Sequence, residues 1–263
     1  MPDGSFYALR SLTAPSKLRN WRKFSHLISS PIPAFRKECR LKNPVEAVLS
    51  TCSTLLSVVE DQDSQVVQFA HFSVLEFLTS IRFAEKCNTI SSRYHISMTP
   101  AHTVITKASL GMLLHLDQTV TRDSLSRFPL AKYTAEYWFK HACFEGVSQN
   151  AEEGMKQLFD WTKPYFSIWL WIHDPTVPSW QQRKGAEGPF PLCGTPLHYA
   201  AFCGLHDIAK VLATEYANDV NSQSFHAAAT PLHLASMEGH VDVALMLVER
   251  GADVSAQDKD GWT

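Results

Sequence analysis

Thr195-Pro196-Leu197-His198 recurs as Thr230-Pro231-Leu232-His233, 35 positions further along the chain. An apolar stretch and then a glycine follow each copy, with Gly204 in the first and Gly239 in the second. Gly261-Trp262-Thr263 begins a third copy, because Thr263 lies 33 residues after Thr230. A repeat of this length predicts stacked helical units, and such stacks commonly bind other proteins.

Each residue of the repeated tetrapeptide suits the start of a helix. The threonine hydroxyl can cap the first turn, and proline at the first helical position sacrifices no hydrogen bond. The histidine can bond back to the threonine or to nearby backbone, and the later glycines can end helices in a left-handed conformation. The residues given these structural roles are Thr195, Pro196, His198, Gly204, Thr230, Pro231, His233, Gly239 and Gly251.

A second helix is predicted in each copy. Its apolar residues recur at helical spacing, which indicates one buried face. These residues are Ile208, Val211 and Leu212 in the first copy, and Val243, Leu247 and Val248 in the second.

Residues 230–260 resemble the ankyrin repeat in Pro231-Leu232-His233-Leu234-Ala235, Gly239-His240 and Gly251-Ala252. The first copy is looser, since it has Gly204-Leu205 in place of Gly-His. Cys193 and Ala228 stand where the third copy has Gly261, a residue that suits a tight turn. The resemblance implies an α-solenoid over residues 193–263, with two repeats and the start of a third.

The resemblance also implies where a protein partner would bind. In ankyrin stacks, partners usually meet the turn tips and the outer side of the first helix. Exposed aromatic and charged side chains make suitable anchors there. The corresponding positions in this sequence are Tyr199, Phe202, Phe225, His226, Met237, Glu238, Lys259, Asp260 and Trp262.

Composition excludes several other classes of protein. The formal net charge of −2 over 263 residues argues against a general polyanion binder, although residues 1–44 are basic. No pair of the six cysteines has the spacing of a zinc site, and no apolar run is long enough to cross a bilayer. No ordered nucleophile motif occurs, so we expect no catalytic residue, cofactor or metal. The sequence contains no signal peptide and no glycosylation sequon, so we expect a reducing compartment, the cytoplasm or the nucleus.

The remaining chain divides into four segments. Residues 1–43 are predicted to be poorly ordered. Residues 44–95 predict a winged-helix-like module, because two β-rich runs joined by the polar turn 60–64 precede a helix that Ser73 can cap. Residues 96–172 predict a helical spacer, and residues 173–192 a linker rich in proline. The fold class is therefore mainly α.

The segment from Phe69 to Leu78 resembles the His-Phe-Ser-Val-x-Glu-Tyr-Leu stretch of fungal NACHT-type proteins, which are similar to immune receptors of the STAND/NLR type. In that family a nucleotide-binding core precedes a winged helix, a helical spacer and ankyrin repeats. The resemblance implies that the chain is the C-terminal, sensor part of a signalling switch. It also implies that His71 could contact a nucleotide, if a separate NACHT core supplied one.

Three functions stay open on the sequence. A non-catalytic protein-binding arm is favoured, because no Gly-x-x-x-x-Gly-Lys-Ser/Thr loop occurs to cradle phosphates. A regulatory fragment that acts with a separate P-loop core is the first alternative. A winged-helix DNA-binding regulator is the second; it is disfavoured because the predicted helix 73–84 carries one basic residue, Arg82. We also expect residues 190–263 alone to be largely unfolded, with the spacer capping the array.

Overall fold

The computed structural model shows helices and one pair of strands within the residues that it describes. It describes residues 56–61, 64–80, 95–116, 119–125, 128, 130–177, 193–224 and 227–263. The predicted segment 1–43, most of the linker 173–192, and Phe225 and His226 lie outside these ranges. The chain divides into two compact units, Met1–Ile105 and Thr106–Thr263.

The first unit contains an antiparallel strand pair followed by a helix. Strand β1 (Leu56–Asp61) pairs with β2 (Ser64–Phe69), and Val58 lies opposite Val67. The two expected strands are therefore present, but they include Glu60, Asp61 and Ser64, which the sequence assigned to the turn between them. Much of 44–95 lies outside the described residues, so the winged-helix assignment stays a prediction.

Helix α1 (Phe72–Thr79) begins one residue earlier than the sequence predicted. Its N-cap is His71, whose backbone is extended and whose Nδ1 accepts a hydrogen bond from the Ser73 backbone N–H at 3.2 Å. The prediction that Ser73 caps this helix is therefore wrong. The imidazole takes that role because His71 is the last residue with extended backbone before the helix begins at Phe72.

Helices α2 to α6 form the predicted spacer. Their bounds are α2 (Met98–Leu113), α3 (Arg122–Leu125), α4 (Ala131–Ala142), α5 (Ser148–Phe159) and α6 (Tyr165–Ile172). Helix α4 buries Ala131, Thr134, Ala135, Trp138 and Ala142, which follow the spacing of one helix face. The boundary between the two units falls within α2.

An aromatic cluster forms the centre of the spacer. Trp138 and Trp169 meet edge to face with their ring centroids 5.3 Å apart, and Phe159 and Phe166 pack beside them. The indole N–H of Trp169 donates to the Ala135 carbonyl at 2.8 Å, which satisfies its one buried polar group. Edge-to-face pairing of this kind adds to the stabilisation from burial alone.

The two repeats are two helix pairs. Helices α7 (Pro196–Phe202) and α8 (His206–Glu215) form the first, and α9 (Pro231–Met237) and α10 (Val241–Glu249) form the second. A 3₁₀ helix, Ala217–Asn221, lies between them. Helix α7 packs against α9, α8 packs against α10, and α5 packs against α8. One apolar core therefore runs from the spacer through both repeats.

Most of the predicted apolar faces in the repeats are buried. Ile208, Leu212, Val243 and Leu247 are buried as expected. Val248 is 44% exposed, so the prediction that it belongs to the buried face is wrong. It lies on the side of α10 that no described part of the chain covers.

Candidate protein-binding surface

The repeated histidines hold each helix start and also join neighbouring repeats. The Thr195 backbone N–H donates to His198 Nδ1 at 3.1 Å. Because Nδ1 accepts, the proton lies on Nε2, which donates to the Ala229 carbonyl at 3.0 Å. His233 repeats this arrangement, with its Nδ1 on Thr230 N–H and its Nε2 on the Trp262 carbonyl, 3.0 Å away. The sequence predicted the bonds within each helix start but not the bonds from Nε2 to the next turn.

His198 is held in its neutral form by its surroundings. It is buried, and this desolvation lowers the pKa of its imidazole, whereas the Ala229 carbonyl acts in the opposite direction. A neutral ring is what the arrangement needs, since a second proton on Nδ1 would remove the acceptor for Thr195 N–H. The structural role assigned to His198 therefore depends on its protonation state.

The glycines that end the helices adopt the left-handed conformation that the sequence predicted. Gly204 has a φ of +69° and Gly239 a φ of +75°. Gly204 has a second constraint, because a Cβ there would lie 2.5 Å from Nδ1 of His240. His240 Nε2 donates to the Phe202 carbonyl at 3.0 Å, so this ring fills the notch above Gly204 and joins the two repeats.

Ala228 takes the conformation that the third copy gives to a glycine. Its φ is +50°, and the φ of Gly261 is +81°. The turn before the second repeat therefore keeps its shape without glycine, at the cost of a left-handed alanine. Its backbone N–H donates to the Ser224 carbonyl at 3.0 Å, which holds that turn closed.

Hydrogen bonds from the Asp258 side chain and from the preceding turn hold the last turn of the chain. The Asp258 carboxylate accepts from the backbone N–H groups of Asp260 and Trp262, both at 2.9 Å. The Lys259 N–H donates to the Ala227 carbonyl at 2.9 Å, which ties this turn to the preceding one. The backbone that carries Lys259, Asp260 and Trp262 is thus held before any partner arrives.

Five of the predicted binding residues are exposed. Trp262 is 73% exposed and Met237 67% exposed, which leaves two large apolar side chains open to solvent. Glu238, Lys259 and Asp260 are also exposed. We call these five residues, at the end of α9 and on the last turn, the finger surface.

Two other predicted binding residues, Tyr199 and Phe202, are less exposed than the sequence predicted. Tyr199 is 2% exposed, because α6 of the spacer covers it and the Phe166 ring packs edge to face on it at 5.5 Å. Phe202 is half-buried and packs on the core. The prediction that Tyr199 is an exposed anchor is wrong, because the sequence pattern of the repeat does not show what lies before it.

Asn221 is an inter-repeat contact that sequence analysis missed. Its side-chain oxygen accepts from the Asp253 N–H at 2.8 Å, and its side-chain N–H donates to the Gly251 carbonyl at 3.0 Å. A side-chain amide suits this position because it can donate to the Gly251 carbonyl and accept from the Asp253 N–H at the same time. A signal for it was available, since Asn221 is an amide in the turn that leads to the next repeat.

The described residues include no group of three or more histidine, cysteine or acidic side chains arranged to hold a metal ion. Within the same residues, no helix has both the length and the apolar character needed to span a membrane. Although Cys143 is an exposed residue, desolvation of its thiol, which donates to the Cys203 carbonyl at 3.2 Å, raises the pKa to about 11, so this cysteine stays protonated at neutral pH.

Comparison with known proteins agrees with the repeat architecture. Residues 177–258 match the family model described as ankyrin repeats (3 copies). The chain is 29% identical over 221 residues to a protein of Monascus ruber named azaphilone pigments biosynthesis cluster protein L. That alignment covers 79% of this chain and 46% of the Monascus protein, so the chain spans less than half of its relative. Residues 177–258 are an ankyrin-repeat region, and ankyrin repeats suggest a protein-interaction module.

Proposed function

We propose that this chain is a non-catalytic protein-binding arm whose finger surface contacts another protein. The observation that carries the proposal is the pinned last turn, which presents Trp262 beside charged Lys259 and Asp260. A surface that is ordered before binding avoids part of the entropy cost of association. An exposed tryptophan is also a frequent energetic anchor in protein interfaces.

The proposal is tested with two tryptophans of similar exposure. Trp262→Ala removes the proposed anchor, and Trp161→Ala removes a residue that is 62% exposed in the turn between α5 and α6. Each full-length variant is used in quantitative affinity purification from the source organism, followed by affinity measurement with the recovered protein. An anchor contributes about 2 kcal/mol or more, so W262A should weaken binding roughly 30-fold, whereas W161A should leave it unchanged.

The W161A control shows whether a loss of binding is specific to Trp262. If both variants lose the partner equally, the loss is not specific to the finger surface. If no protein is recovered whose binding depends on Trp262, the proposal fails.

We further propose that the binding arm serves a signalling switch in the cytoplasm or nucleus and acts with a separate nucleotide-binding core. The sequence from Phe69 to Leu78 supports this context, as does the exposed position of His71 at the start of α1. Calorimetry with ADP and ATP tests it, first with this chain alone and then with a NACHT core added. Nucleotide affinity that depends on both proteins supports a shared switch, whereas tight binding by this chain alone contradicts a non-catalytic role.

The DNA-binding alternative receives little support from helix α1. Its eight residues contain no lysine or arginine, and phosphate contacts require several. A gel shift with duplex DNA at low salt distinguishes the alternatives, because a salt-dependent complex would favour a DNA-binding regulator.

A further inference from the structure

Two cysteines at helix ends meet in the fold, one in the spacer and one in the first repeat. Cys143 is the C-cap of α4, and Cys203 is the C-cap of α7. The Cys143 thiol donates to the Cys203 carbonyl at 3.2 Å, and its sulfur lies 3.6 Å from the Gly204 carbonyl oxygen. The two cysteines are 60 positions apart in the sequence, so the fold and not chain proximity brings them together.

The two thiols are also close enough to influence each other electrostatically. Burial raises the pKa of the Cys203 thiol well above its usual value, and the neighbouring Cys143 thiol raises it further. Cys203 is 2% exposed, whereas Cys143 is an exposed residue. The pair therefore combines a cysteine that a small reagent can reach with a buried cysteine beside it.

We propose that Cys143 and Cys203 form a reversible disulfide that fastens α4 of the spacer to the end of α7 in the first repeat. A disulfide requires the two Cα atoms to lie about 4.4–6.8 Å apart. The 3.2 Å contact already places the Cys143 sulfur against the Cys203 backbone, so the bond needs side-chain rotation and a small adjustment at two helix ends. This proposal does not depend on the proposed protein-binding function.

The reaction requires an oxidant, and a small disulfide such as oxidised glutathione has the right chemistry. The Cys143 thiolate attacks one sulfur of this oxidant and releases one glutathione, which leaves a mixed disulfide on Cys143. The Cys203 thiolate then attacks the Cys143 sulfur and releases the second glutathione. The protein gives up two electrons and two protons; the electrons cleave the S–S bond of the oxidant, and the protons end on the two glutathione thiols.

The disulfide would stabilise the folded chain. It would close a loop over the 60 positions between the two cysteines, which includes α5 and α6. Closing a loop of this length restricts the unfolded chain more than the folded one. The hydrogen bond lost from the Cys143 thiol offsets little of this gain, because a thiol is a weak donor. The folded chain should therefore favour the disulfide more strongly than the unfolded chain does.

The experiment uses the full chain with two cysteines left, Cys143 and Cys203. Serine replaces the other four, which are Cys39, Cys52, Cys87 and Cys193. The protein is equilibrated in glutathione buffers at about pH 8.5, because protonated thiols exchange slowly. Mass spectrometry of tryptic peptides then gives the ratio of disulfide to dithiol, with and without urea.

We expect a linked peptide that joins Cys143 to Cys203 and that dithiothreitol separates. The ratio of disulfide to dithiol should be roughly tenfold or more higher in the folded chain than in urea. The Tm of the oxidised protein should exceed that of the reduced protein by several degrees. Cys203→Ala is the matched control, and it should give a glutathione adduct on Cys143 without the gain in Tm.

The natural chain, with all six cysteines, keeps the test decisive if the serine substitutions prevent folding. There the same linked peptide should form in preference to any link with Cys193. The proposal is overturned by a ratio in the folded chain that is no higher than in urea. A lasting glutathione adduct on Cys143 beside a free Cys203 thiol also overturns it, as does a Cys193–Cys203 link in the natural chain.

Discussion

Gly204→Ala should destabilise the protein much more than Gly239→Ala, although both glycines end the first helix of a repeat. Both residues have a positive φ, +69° and +75°, so alanine at either position costs about 1–2 kcal/mol of backbone strain. At Gly204 the new methyl group would also lie 2.5 Å from Nδ1 of His240, whereas at Gly239 it would meet no atom within 4 Å. The pair therefore separates backbone strain from steric conflict.

The size of the difference follows from what His240 does. The ring cannot move away without giving up its 3.0 Å hydrogen bond to the Phe202 carbonyl, a bond that contributes about 1 kcal/mol. Overpacking of a filled site costs about 1–3 kcal/mol. We expect G204A to lose about 1–3 kcal/mol more free energy of unfolding than G239A.

Urea denaturation of the full chain, followed by far-UV circular dichroism, measures both variants. The double variant G204A/H240A serves as the control, because removing the ring should make the alanine at position 204 no worse than the one at position 239. Equal losses in G204A and G239A would refute the packing of His240 in the notch. The packing would also be refuted if the loss in G204A/H240A equalled the sum of the losses caused by G204A and by H240A alone.

Three further outcomes are expected. Ala228→Gly should stabilise the protein by about 0.5–1 kcal/mol in urea denaturation, because Ala228 has a φ of +50° that glycine adopts without strain; unchanged or lower stability would contradict this. Burial lowers the pKa of the His198 and His173 imidazoles below the usual 6.5, so as the pH falls the unfolded chain takes up a proton on each ring before the folded chain does. The free energy of unfolding should therefore decrease as the pH drops below about 6.5. A urea midpoint that stays flat or rises as the pH is lowered from about 7.5 to 5.5 would contradict this. Residues 190–263 alone should be largely unfolded in circular dichroism, because Phe166 of the spacer covers Tyr199 of the first repeat; a cooperative melt of that fragment would contradict it.

The sequence predicted those parts of the fold that depend on local chemistry. Proline at the first helical position and glycine after the last turn set the bounds of α7 and α9, and both features are visible in the chain. The family match at residues 177–258 supports the ankyrin repeats, although it begins within the segment predicted to be a linker, 173–192. The strands β1 and β2 also appear where polar residues separate two β-rich runs.

The sequence could not predict contacts that depend on what packs against a repeat. Tyr199 occupies an outward position in the repeat pattern, yet α6 of the spacer buries it. Val248 differs in the opposite sense, because it was predicted to be buried and is 44% exposed. Its position in the repeat is buried only where another repeat packs on it. The second bond of His198 was missed for the same reason, because its acceptor, the Ala229 carbonyl, lies 31 residues away.

Site-specific photo-crosslinking measures most directly whether a protein partner meets the finger surface. A photoreactive amino acid replaces Asp260, an exposed residue on the last turn, and in a separate protein it replaces Gln149, an exposed residue on α5. We expect a discrete crosslinked partner from position 260 and none from position 149. A partner captured only from position 149, or equally from both, would contradict it.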